Sequence, residues 1–389
     1  MARARYQGPA FLSHGFRPFF LGAGVVAFLL VPVWLWLFLT GQGLPSGMAP
    51  LDWHRHEMIL GYLGAVVTGF LLTAIPNWTG RLPLSGKPLL ALFLLWVAGR
   101  VALLLPLGPM GAVTDSLFLP VVAFFAGREV VAGKNWRNLP VAVFVGLFAL
   151  ANILFHLEAA GVLATAFSVR AALGVLILLI SLIGGRIVPS FTTNWLIKSG
   201  ASARPVPFGP YDKTVLVLTG LALGLWVCLP DGAVTAASLL TVAVLQAVRL
   251  WRWKVWAVGP SAIVLVLHVA YAWLPVGLAL LAASDLLPPK VAPSQSAGVH
   301  ALTAGLMAMM TVAVMTRATL GHTGRALAAG RAGTVLYGLL FLAAVTRVAA
   351  PLVAAYEPLL MASATFWSLA FLLFTLHFGS MMLRPRAGG

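Results

Sequence analysis

Residues 58–75 read MILGYLGAVVTGFLLTAI, from Met58 to Ile75, and contain no charged side chain. As a helix rising about 1.5 Å per residue this run is about 27 Å long, close to the ~30 Å hydrocarbon core of a bilayer. Comparable runs recur from end to end and leave no hydrophilic stretch long enough to fold separately. The 389 residues are 61% hydrophobic and 9% charged, with a mean hydropathy of +0.98. That composition excludes an ordinary soluble globular protein. The expected fold is all-α, a polytopic membrane bundle forming a single transmembrane domain over residues 1–389.

Twelve spans are expected at about 19–40, 54–76, 88–107, 112–128, 137–156, 166–188, 214–229, 232–250, 258–281, 297–316, 331–349 and 358–383. The longest loop, about 189–213, falls between helices 6 and 7, as in a 6+6 arrangement, yet no internal repeat stands out. With a cytoplasmic N-terminus, 20 of the 25 Lys and Arg residues fall inside, Arg3, Arg5 and Arg17 among them, leaving Arg55, Arg100, Arg170, Lys290 and Arg347 outside. This split places both termini in the cytoplasm. The apolar run after the N-terminal arginines is followed by no small-residue cleavage site and reads as an uncleaved helix.

The net charge of +16 records topology rather than a nucleic-acid partner. Cys228, the single cysteine, excludes an internal disulfide, a CxxC pair, a thiolate zinc site and covalent haem attachment. Nucleotide-binding and hydrolase signatures are absent, as are HExxH and the adjacent His-His pair of haem-copper oxidases. Asn77-Trp78-Thr79 forms a sequon on the cytoplasmic side and says nothing of function. Gly61, Ala65, Gly69 and Thr73 line one helix face, and Gly220 and Gly224 form a GxxxG; both patterns suit close helix packing in lipid.

All nine acidic residues fall near span ends or in loops, which lowers the expectation of an ion-coupled transporter. Histidine can enter a membrane interior uncharged, which makes it the metal-ligand candidate here. His54 and His56 open helix 2, His156 closes helix 5 and His300 opens helix 10, all at the outer side. His268 lies near the middle of helix 9, with Tyr271 a turn on. In Trp53-His54-Arg55-His56-Glu57 the two imidazoles point the same way only if the chain is extended or turning, since a helix separates them by about 200°. Asp52 is placed to cap that helix. The pair reads either as copper or haem-iron ligands, with Glu57 as the carboxylate behind them or a proton relay, or as interfacial histidines contacting water and headgroups. His300, Thr303, Met307 and Met310 share a helix face that suits either a soft metal or plain packing. For His268 the alternatives are ligation and a buried hydrogen bond to Tyr271 or a carbonyl. His322, in a glycine-bounded turn, and Arg17, Arg186 and Arg325 at helix junctions are placed to meet a haem propionate or a lipid headgroup.

Several strings resemble the NnrS family of bacterial membrane proteins: Phe16-Arg17-Pro18-Phe19-Phe20, Trp53-His54-x-His56-Glu57-Met58, the run Gly69 to Gly80, Gly184-Gly185-Arg186, and the run Met315 to Arg325. The resemblance spans nearly the whole chain. It implies a twelve-helix protein of the bacterial inner membrane, associated with the nitric oxide response and binding haem and copper. The histidines it marks are His54, His56, His268, His300 and His322, with His156 less specific; His377 and His14 fit poorly.

The resulting expectation is a haem b and a nearby copper in the outer half of the bundle, with His54, His56, His268 and His300 as ligands and His156 in reserve. The expected reaction reduces nitric oxide to N2O, with protons passing by Glu57, hydrogen bonds from Tyr271 or Tyr356, and electrons from quinol or a periplasmic donor. The alternatives are a non-enzymatic NO-, haem- or copper-binding protector, a metal or haem transporter, and a purely structural membrane protein.

Overall fold

The computed structural model describes residues 6–387, so Arg3 and Arg5 lie outside the described residues. Twelve main helices run through the described residues: α1 (Phe16–Thr40), α2 (Pro50–Thr79), α3 (Lys87–Ala102), α4 (Pro109–Ala132), α5 (Trp136–Ala159), α6 (Ser168–Lys198), α7 (Pro210–Cys228), α8 (Ala233–Trp251), α9 (Ala262–Leu286), α10 (Gln295–His322), α11 (Gly330–Leu352) and α12 (Tyr356–Leu383). No strand occurs among the described residues. All but α3 are long and apolar enough to cross a membrane; α3 has 16 residues, about 24 Å of helix. Lipid offers no partner for backbone N–H and C=O groups, so a segment that crosses it must satisfy them internally, as a helix does. The chain is a multi-pass membrane protein by this architecture.

Two expectations at helix ends change. α6 runs through Pro189 to Lys198, so residues 189–198 are helical, and the connection to α7 shrinks to residues 199–209 while staying the longest between these helices among the described residues. Thr192 and Thr193 lower the hydropathy there, but their hydroxyls donate four residues back to the Val188 and Pro189 carbonyls, each at 2.8 Å. Leu196 is fully buried and Trp195 Nε1 donates to the Val258 carbonyl at 2.8 Å, so tertiary packing holds the extension. α2 starts earlier than expected, with Pro50 in its first turn and Ala49 as the capping residue. Asp52 therefore sits inside the first turn, 3.2 Å from Arg55, rather than at the cap.

Three helices contain π-helical turns, at Glu57–Tyr62, Ala301–Met307 and Phe374–Phe378. Each widens the helix by one residue and rotates the segment beyond it, a device common at functional sites.

Contacts divide the described chain into two compact units, with the boundary inside α6, α10 and α12. The first comprises residues 6–175, 317–326 and 371–387. Its core is aromatic, with Phe16, Phe19 and Phe20 fully buried and Phe19 stacked on Phe118 at 5.8 Å. Gly69 admits Phe19 and Phe20: a Cβ there would lie 2.7 Å from the Phe20 ring and 3.1 Å from Phe19 Cβ. Gly69→Ala is expected to cost about 1–3 kcal/mol through this overpacking, read as a lower apparent Tm in detergent. The second unit comprises residues 176–316 and 327–370. There Gly277 faces Leu302, and Gly305 faces the Trp273 indole. The expected GxxxG on α7 works differently, since Gly224 has open space around it and Gly220 meets only a Leu178 methyl at 3.8 Å.

Candidate metal centre

His56 and Glu57 stand at the start of the first π-helical turn of α2, and both are buried, at 0% and 1% exposure. His54 lies two residues back, on a different helix face, and its ring stacks on Trp34 at 4.2 Å. The helical geometry thus separates the histidine pair, and His56 alone joins the centre.

Three neighbouring helices of the first unit complete it. On α5, Asn152 and His156 are four residues apart and share a face. On α4, Asp115 is 2% exposed. Asp115 Oδ2 lies 3.0 Å from His56 Nε2 and 2.8 Å from His156 Nε2, and accepts a hydrogen bond from Asn152 Nδ2 at 2.9 Å. Asn152 Oδ1 is also 3.0 Å from His56 Nε2. On α3, Arg100 donates through Nη2 to Asp115 Oδ1, and its Nε is 3.4 Å from Glu57 Oε2. Glu57 Oε1 is 3.2 Å from His56 Nδ1. This last contact is the arrangement in which a carboxylate accepts a hydrogen bond from Nδ1–H, fixes the ring and leaves Nε2 as a ligand.

Gly61, one helical turn beyond Glu57, makes the centre possible. A Cβ at this position would run into the Arg100 guanidinium and lie 3.0 Å from Glu57 Oε2. Its carbonyl accepts a hydrogen bond from Trp96 Nε1 at 3.0 Å, which ties α3 to the widened turn of α2. Part of the small-residue face read as packing is thus clearance for a buried charge.

His56, Asp115 and His156 offer one ligand atom each, all within 4.8 Å of one another. They are the one group of three His, Cys or acidic residues among the described residues that is so placed. Two imidazole nitrogens and a carboxylate oxygen suit a bare transition-metal ion of the zinc, copper or iron kind. The Asp115 oxygen stands in contact with both imidazoles, so this space fits a bare ion and not a porphyrin.

The remaining expected site residues have other surroundings. In the second unit, His268 Nε2 is 2.8 Å from Thr192 Oγ1, so its hydrogen bond goes to Thr192 rather than to Tyr271. The single Thr192 proton goes to the Val188 carbonyl, so His268 donates through Nε2 and Nδ1 carries the lone pair. Nδ1 is buried with no hydrogen-bond partner among the described residues. The Tyr271 hydroxyl donates to Gln246 Oε1 at 2.7 Å and accepts from Arg249 Nη1 at 2.9 Å, within a network that also holds Ser181 and Asp212. His300 donates through Nδ1 to the Ser296 carbonyl at 2.7 Å. Arg186 lies over the Phe208 ring at 5.5 Å. In the first unit, Arg17 donates to the carbonyls of Met382 and Arg384 at 2.6 and 2.7 Å, tying down the end of α12. His322 packs against Phe16, and Arg325 Nη1 reaches the Thr323 carbonyl at 3.3 Å.

The protein-family model described as NnrS protein matches residues 10–386. The chain belongs to the NnrS family. Among curated proteins none matches it. Three members of this centre, Arg100, Asp115 and Asn152, are not among the site residues expected from the sequence. The available signals were one cation and one anion inside neighbouring apolar spans, and an Asn four residues before a His.

Proposed function

We propose that this chain is a metal-dependent membrane protein of nitric oxide metabolism that reduces NO to N2O at the His56–Asp115–His156 centre. The observation that carries the metal reading is the buried convergence of two imidazoles and a carboxylate, with Glu57 behind His56. The NO chemistry rests on the family resemblance. Bound there, a redox-active ion of the copper kind would supply a binding site for NO and a route for electrons. The balance is two NO, two electrons and two protons giving N2O and water, with quinol or a periplasmic carrier as the electron source.

The chain's own groups have separable tasks in this reading. His56 and His156 bind through Nε2, and Asp115 supplies the anionic ligand. Glu57 orients His56 and is the one of the centre's two carboxylates carried by α2, a suitable holder of protons moving inward. Arg100 keeps Glu57 and Asp115 apart in function by pairing with each. Burial of His56, Glu57, Asp115 and His156 excludes bulk water while NO, which partitions into lipid, can still arrive. For haem b, His268 is the residue whose donor chemistry fits, through the buried Nδ1 lone pair that Thr192 leaves unprotonated.

The test is metal analysis and optical spectra of protein purified in mild detergent, followed by anaerobic NO consumption with a chemical reductant and N2O detection. About one copper or iron per chain and N2O formation, both lost in His56→Ala with His156→Ala, are expected. Protein grown with ample haem and copper that binds neither overturns the metal reading; metal without N2O leaves the protector alternative.

A further inference from the structure

The histidine that opens the metal centre has a counterpart 244 residues later. His56 is followed by the π-helical turn Glu57–Tyr62, and His300 by the π-helical turn Ala301–Met307. Gly61 and Gly305 stand five residues after each histidine, and each packs against an indole, of Trp96 and Trp273 respectively. Thr79-Gly80-Arg81 and Thr323-Gly324-Arg325 stand 23 residues after each, and both glycines take positive φ, 68° and 75°. In the helices that come next, Arg100-Val101-Ala102 of α3 matches Arg347-Val348-Ala349 of α11, and Pro109 of α4 matches Pro358 of α12. We read these matches as two copies of one framework, carried by special positions rather than by overall identity, with 44 residues from His56 to Arg100 and 47 from His300 to Arg347.

The repeat places Arg347 where Arg100 stands, and the residues around it show what has changed. Arg100 is held between Glu57 and Asp115. At the matching positions the second copy has Ala301 and Ala364. Arg347 is 9% exposed, and no carboxylate among the described residues comes within ion-pair distance of it. Its Nη1 is buried with no hydrogen-bond partner, and its Nη2 reaches only Ser296 Oγ, at 3.4 Å. Ser296 is also the residue whose carbonyl receives the His300 proton. A guanidinium so enclosed, with both carboxylates of its counterpart removed, lacks the compensating charge that burial demands.

We propose that Arg347 and Ser296 form the receptor for an oxyanion, a carboxylate or phosphate group, so that the two copies of one framework take ligands of opposite charge. Arg347 supplies the charge through Nη1, in the fork geometry suited to paired oxygens, and the Ser296 hydroxyl supplies a second donor. The site is independent of any metal at His56 and of the NO reading.

The full-length protein, stripped of lipid in a neutral detergent and phosphate-free buffer, is titrated with sodium phosphate or sodium acetate against sodium chloride at equal ionic strength. In a second arm it is reconstituted in phosphatidylcholine nanodiscs with and without phosphatidylglycerol. Wild type is expected to gain about 3 °C or more in apparent Tm with an oxyanion probe or the anionic lipid, and not with chloride. A response in detergent assigns a free oxyanion; one confined to phosphatidylglycerol assigns a lipid headgroup. Arg347→Gln loses the response, Arg347→Lys keeps part of it, and Arg331→Gln, on the exposed start of the same helix, keeps it all. Without probe, Arg347→Gln is expected to melt no lower than wild type, because it removes an uncompensated charge. Equal responses in wild type and Arg347→Gln, or none in wild type with any probe, overturn the proposal.

Discussion

His156→Ala is expected to lower the metal affinity of the purified protein by at least about 100-fold while leaving the fold in place. The argument rests on what each member of the centre does besides binding. The hydrogen bond of His156 to the cluster runs from Nε2 to Asp115 Oδ2, and its ring lies 4.9 Å from that of His56, so its removal deletes a ligand and leaves the Arg100 pairs standing. Asp115→Ala differs, because the same carboxylate also accepts from Asn152 and Arg100. It should lose metal to a similar degree and lower the apparent Tm as well. Gly61→Ala is a third case, with every ligand retained but Arg100 displaced from its place beside Glu57. An intermediate loss of metal, with partial loss of stability, is expected. Metal analysis by mass spectrometry and thermal melts on the three variants separate ligand, charge partner and clearance. Stoichiometric metal in His156→Ala would refute the centre.

Asp212→Ala is expected to be the most destabilising single change in the second unit, at about 3–5 kcal/mol. Arg249 is fully buried and bonded to Asp212 Oδ1 at 2.7 Å, to the Ser181 carbonyl and hydroxyl at 3.0 and 2.9 Å, and to the Tyr271 hydroxyl at 2.9 Å. Removing the carboxylate leaves a guanidinium with dipoles but no counter-charge. Gly185 confirms how closely the group is enclosed, since a Cβ there would overlap it. The double variant Asp212→Ala with Arg249→Met should recover most of the loss, because it takes both charges out together. Apparent Tm in detergent reads both. A double variant no better than Asp212→Ala would mean that the hydrogen bonds to Ser181 and Tyr271, rather than the charge pair, hold this core.

The helices were legible because about twenty apolar residues in a row admit few other meanings. Their ends were less so where polarity and packing disagree, as in the Thr192–Lys198 extension, whose hydroxyls are satisfied by its own backbone. His56 and Glu57 were legible as a string, and helical periodicity already separates His54 from His56, but nothing in the string says which of the two faces inward. Asp115 and Arg100 were read as charges near span ends, where a side chain normally meets water. Their burial depends on four helices meeting at one place, a long-range fact with no local signature. The Arg100–Arg347 correspondence needed the two π-helical turns to become visible, because the matching positions are few and widely spaced.

The turn at Glu57–Tyr62 also has a consequence for how insertions and deletions would be tolerated. A six-residue π-helical turn is an α-helix carrying one supernumerary residue, so the phase of everything after Leu63 is offset by about 100° from everything before it. Deleting a single residue within it would rewind the segment to ordinary α geometry without breaking the helix or altering its hydropathy. The damage would be rotational: the lipid-facing and inward-facing stripes of the last 17 residues of α2 would turn by about 100° relative to His56 while the span itself stayed intact. At this point of the chain, length variation is therefore a screw motion, and the spacing between His56 and Pro76 behaves as a fixed angular setting.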